Sequence, residues 1–150
     1  MSRLLFAFPC ALMALFLGSC GSSKQPADFS QFTREFVETT LALSPVTATS
    51  AGYHKHGGQS LDMLLDDYSE AGMQRQLKHW TEWKKRLSDV EAAKLDAESR
   101  ADLDLMKGQA ELALLELDRI KSWRRNPTVY VELLGNALFT PYSVEYAPVE

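Results

Sequence analysis

Between Met73 and Val90 the apolar residues return every three or four positions: Met73, Leu77, Trp80, Trp83, Leu87 and Val90, with Gln76 on the same stripe. That spacing follows one face of an α-helix; a half-buried strand would alternate with period two. Ser69 stands just ahead as an N-cap. A second stripe, Leu103, Met106, Ala110, Leu114, Leu117 and Ile120, follows Asp96, another capping residue, and predicts a helix reaching Trp123. Leu105, Leu112 and Leu115 lie off that stripe and widen it, so burial on more than one side is expected. Lys121, Arg124 and Arg125 crowd its end, where cations suit the helix dipole. Two such helices must bury their stripes against other elements of the same kind, which predicts an all-α, irregular helical bundle.

The remaining segments fit that class. Asp28 reads as the cap of a first helix carrying Phe29, Phe32, Phe36 and Leu43. Pro45 stops it or starts another; Ser44-Pro45 favours a new start, with Val46 to Ala51 closed by Gly52. Leu61, Leu64, Leu65 and Tyr68 mark a short amphipathic segment with Asp62, Asp66 and Asp67 on its wet side. Asn126-Pro127 opens a last segment, TVYVELLGNALFTPY, read as helix from its cap and length although Thr128 to Val131 alone would pass for strand. Nothing repeats at a fixed period.

The N-terminus carries the most specific signal. MSRLLFAFPCALMALFLGSC has a basic start at Arg3, an apolar run from Leu4 to Leu17, and small residues leading into Cys20. That is the layout of a secretory leader, and the run is shorter than the roughly 20 residues a bilayer span needs. Leu17-Gly18-Ser19-Cys20 looks like the lipobox of bacterial lipoproteins, which implies cleavage between Ser19 and Cys20 and acylation of Cys20. Several acyl chains hold a protein on a membrane where one does not. An ordinary secreted protein with a chance cysteine at the cleavage site is the other reading. The domain organisation is therefore a lipoprotein signal peptide over 1–19, a lipidated cysteine and tether over 20–27 (CGSSKQPA), and a helical region over 28–150. Gly21, where an Asp would argue for inner-membrane retention, favours the outer membrane of the cell envelope. Cys10 leaves with the leader, so Cys20 is the only mature cysteine and neither a disulfide framework nor a cysteine metal cluster is available.

The formal charge is −4, and a leader whose only charge is Arg3 makes the remainder one unit more negative, so no basic field exists to hold nucleic acid. Candidate chemistry is sparse. His54 and His56 lie two apart in a Gly-bounded loop, whereas a zincin helix needs imidazoles one turn apart beside a glutamate. His79 is the only other histidine. Asp66-Asp67 and Glu132/Glu145 offer acid pairs, but solvated helix faces account for them. No Gly-x-Ser-x-Gly elbow and no phosphate-binding glycine loop occurs. The clusters HWTEWKKR (79–86) and KSWRRN (121–126) suggest anionic head groups, but Trp80 and Trp83 share the core stripe, so core plus solvated charge is expected. No catalytic and no metal residue is assigned.

Read in order, LALSPVTATSAGYHKHGG, LDDYS, RADLDL, LALLELD and NPTVYVELLGNALF resemble the N-terminal portion of a bacterial family known as domain-of-unknown-function family 885. The similarity covers about Phe29 to Glu150. The resemblance implies a longer, mostly helical, often lipid-anchored protein that looks like a zinc metallopeptidase through a His-Glu motif followed by Pro-Gly-His in its C-terminal half. This sequence stops after SVEYAPVE, ahead of that half, and none of its histidines is followed by Glu. The resemblance thus implies a truncated scaffold that would pack against a missing catalytic half and form one wall of a peptide cleft, with zinc only in the full-length relative. A small helical lipoprotein that binds a partner or substrate through its own surface is the alternative.

Overall fold

Ser69 opens the longest helix by accepting a hydrogen bond from the Gly72 N–H at 3.1 Å, and Asp96 opens the next by accepting from Ser99 N–H at 2.7 Å. The structure, a computed structural model, describes residues 27–143, with the side chains of residues 27, 140 and 141 left out. Its elements are α1 (Ala27–Leu41), α2 (Pro45–Ser50), a two-stranded hairpin of β1 (Lys55–His56) and β2 (Gln59–Ser60), α3 (Glu70–Ser88), α4 (Ala97–Leu114), a short α5 (Ser122–Arg125) and α6 (Thr128–Ser143). The fold is all-α, as its apolar periodicity predicts.

The core lies where α1, α3 and α4 meet: Phe29 and Phe36 from α1, Trp80, Trp83 and Leu87 from α3, and Leu103, Met106 and Ala110 from α4. Leu87 and Leu103 are wholly buried. Phe32 and Phe36 meet the Trp83 ring edge-on at 5.3 and 5.1 Å. The Trp83 indole N–H donates to Thr39 Oγ1 at 3.2 Å. Arg86 stacks 3.9 Å from the Trp83 ring centroid and forks onto both Glu35 carboxylate oxygens at 2.7 Å, tying α3 to α1. HWTEWKKR is therefore a core face backed by charges, in line with its stripe.

Several boundaries differ from the sequence reading, each for a local reason. Asp28 lies inside the first turn of α1 and bonds the Phe29 N–H, so it does not cap from outside, and Leu43 falls beyond the helix end. Gly57 and Gly58 both have positive φ, 54° and 82°, and close a two-residue hairpin in place of a plain loop. The segment from Leu61 to Tyr68 is not helical: after a turn at Asp62 and Met63 it has no regular secondary structure, and its burial alternates residue by residue, as in an extended chain. Leu65 therefore points outward, while Asp62 and Asp66 turn in. The second stripe does not run unbroken to Trp123. It widens into a π-helical turn over Leu115–Ile120, closed by Lys121 N–H on the Glu116 carbonyl at 2.7 Å, and Lys121 then takes left-handed φ 56°. The extra residue per turn rotates Ile120 off the stripe into solvent. Leu105, Leu112 and Leu115 are exposed as well, Leu105 to 72%, so the predicted burial on a second side is absent.

Helix α6 forms as expected from its proline start, with Asn126 Oδ1 accepting from the Thr128 N–H at 3.0 Å. It packs against α2 and α5.

Candidate functional site

The two loop histidines take separate partners. His54 Nδ1 donates to Asp62 Oδ1 at 2.8 Å, and Thr49 Oγ1 donates to the same oxygen at 2.8 Å. Desolvation pushes the Asp62 carboxyl up, but the His54 and Thr49 hydrogen bonds, with the charges of His54 and Lys55, bring it below its ordinary value. His56 Nδ1 lies 2.9 Å from the Tyr53 hydroxyl. These contacts fix the hairpin to α2. His79 is elsewhere, on the α1–α3 seam, where its Nε2 meets Thr40 Oγ1 at 3.3 Å and burial holds its pKa below 6.5. Among the described residues no three His, Cys, Asp or Glu side chains gather as metal ligands.

The sequence pairs Asp66 with Asp67, and the structure separates them. Asp67 faces out, accepts from the Ser69 N–H at 2.9 Å and pairs with Arg75. Asp66 faces in and accepts the Val46 N–H at 3.0 Å, so it caps α2 from 20 residues further along the chain. Ser44, the cap expected from sequence, makes no capping bond. Burial pushes the Asp66 carboxyl above its ordinary value, offset in part by the Val46 N–H. Glu145 lies outside the described residues, as do Ser19 and Cys20.

Two adjoining concavities lie beside this segment. The first, about 470 Å³, lies between α3, the π turn, α5 and the start of α6, and its walls include Tyr68, Met73, Trp80, Leu117, Trp123 and Glu116. The second, about 360 Å³, lies between α2, the extended segment and α6, and includes Asp66, Glu132 and Asn136. Tyr68 and Val129 line both. The volumes suit small-molecule sites. The site depends on three features absent from the sequence reading: the inward turn of Asp66, the π turn that re-aims the chain, and the left-handed Lys121 that sends Trp123 back toward α3. None of the three has a sequence signal: Leu61, Leu64, Leu65 and Tyr68 keep the three-and-four spacing of an amphipathic helix, which puts Asp66 on the wet side. The KSWRRN cluster is divided between roles: Trp123 lines the first cavity, while Arg124 stacks 4.5 Å from its ring centroid and pairs with Glu70.

Among the described residues no helix is long and apolar enough to cross a membrane. Comparison with protein-family models, with curated proteins and with solved structures finds no match to this chain.

Proposed function

We propose that this chain is the N-terminal scaffold portion of an exported, lipid-anchored, metallopeptidase-like protein of the cell envelope, without a catalytic motif of its own. The observation that carries the reading is the pair of apolar stripes turned away from the core. On α6, Val131, Leu134, Leu138 and Tyr142 recur at three and four with Leu138 75% exposed, and Leu105, Leu112 and Leu115, seven and three apart, are exposed on α4 and its π turn. A helical region that packs against a further domain needs such faces. The resemblance to family 885 supplies the identity of that domain, a zinc peptidase half that would hydrolyse peptide bonds through a metal-activated water. Anchoring at Cys20 would place the whole at a membrane surface facing the periplasm.

The test compares zinc content and peptidase activity of residues 21–150 with those of the longest product obtainable from the native locus. Metal and activity confined to the longer product is the expected result. Stoichiometric zinc in the short form, abolished by His54→Ala or His56→Ala, would move the chemistry into this chain and overturn the reading. A second reading, a small helical lipoprotein that binds a partner or substrate through its own surface, is favoured by the paired concavities; a stop codon followed by an unrelated gene would support it.

A further inference from the structure

The two concavities that meet at Tyr68 and Val129 carry one sign of charge. Their described walls include three carboxylates, Asp66, Glu116 and Glu132, and no lysine or arginine. The larger chamber adds Tyr68, Trp80 and Trp123, whose ring faces attract cations as well as apolar groups. We infer that the paired chambers form a binding site for a small organic cation with an apolar body, its alkyl or aromatic part among Trp80, Met73 and Leu117 and its ammonium group toward Asp66 and Glu132.

Three observations support this assignment independently of the scaffold reading. Asp66 is fixed by the Val46 N–H, so one carboxylate is positioned before any ligand arrives. The Tyr68 phenol, which lines both chambers, is pushed up first by desolvation and then by neighbouring groups that include the Asp66 and Glu116 carboxylates, so the junction is partly shielded from water. The nearest stacked cation, Arg124 over Trp123, is paired with Glu70 and lies outside both linings. A negatively charged, partly desolvated, aromatic recess discriminates by charge among ligands of equal shape.

The experiment uses the full chain and three probes of similar size: 2-phenylethylammonium, 2-phenylethanol and phenylacetate, titrated at pH 7 while the tryptophan indole NMR resonances and fluorescence are followed. The expected order is ammonium tightest by about tenfold over the alcohol, with the anion weakest. In the double variant Asp66→Asn, Glu132→Gln the ammonium should lose that preference while the alcohol binds as before. The amide introduced by Asp66→Asn retains an oxygen acceptor for the Val46 N–H, and Glu132 is exposed, so a matching thermal melt shows the variant folded. Equal affinity for ammonium and alcohol, preference for the anion, no saturable change in the indole signals at millimolar probe, or unchanged ammonium binding in the folded double variant would each overturn the assignment.

Discussion

At Gly72 an added methyl group has no space: its Cβ would fall 2.2 Å from the Asp67 carbonyl oxygen and 2.7 Å from Asp67 Cγ. The extended segment turns into α3 there, and only a bare α-carbon lets the Ser69 cap form. Gly72→Ala is expected to destabilise by about 2–3 kcal/mol, whereas Gly108→Ala, on an exposed turn of α4 with nothing within 4 Å, should stabilise by about 1 kcal/mol. Urea unfolding of the two variants separates packing from helix propensity. His79 sets a pH dependence on the α1–α3 seam. Burial, the largest cause, holds its folded pKa below 6.5, so between 6.5 and the folded value the unfolded chain binds the extra proton. Stability from this group is complete above pH 6.5 and lost as pH falls through that window. His79→Gln should flatten the dependence of the denaturation midpoint on pH as pH falls below 6.5, and an unchanged slope would place the titration elsewhere. Core and cap residues such as Trp83, Leu87 and Ser69 are legible in the sequence because their roles follow from position on their own helix. Asp62 and Asp66 are not, because their partners, Thr49 and Val46, lie 13 and 20 residues away.

Among the elements, α4 shows how a periodic sequence conceals its own interruption. Nothing in LELDRIK announces a π turn, and the apolar spacing continues to Ile120, yet the helix spends its extra residue there and ends at a lysine in the left-handed region. Glycine is the usual occupant of that position because it lacks the Cβ that crowds the backbone. Lys121→Gly is therefore expected to raise stability by about 0.5–1 kcal/mol, read as an upward shift in thermal midpoint. The Lys121 ammonium lies 4.0 Å from Asp118 on the surface, too weak a pair to reverse the sign. The hairpin has a usable signal in Gly57-Gly58, which a two-residue turn with positive φ at both positions requires.

For the molecule as a whole, the helical class is readable because three stripes need one another, and the three-helix core follows from them. The concavities are not readable, since they arise where the extended segment, the π turn and α6 converge. The exposed stripes carry a prediction of their own: residues 21–150 should self-associate with rising concentration in analytical ultracentrifugation, and Leu134→Glu with Leu138→Glu should suppress it while leaving the melt unchanged, because both side chains face solvent. Concentration-independent sedimentation of the parent chain would remove that liability. The carboxylate that caps α2 has one more consequence. Because the Val46 N–H is held by Asp66, its exchange with deuterium is governed by whether the 61–68 segment is seated and not by α2 alone. That single amide thus serves as a clock for the opening of the smaller chamber, and a ligand that closes the chamber should slow it while leaving the amides of the α3–α4 core unchanged.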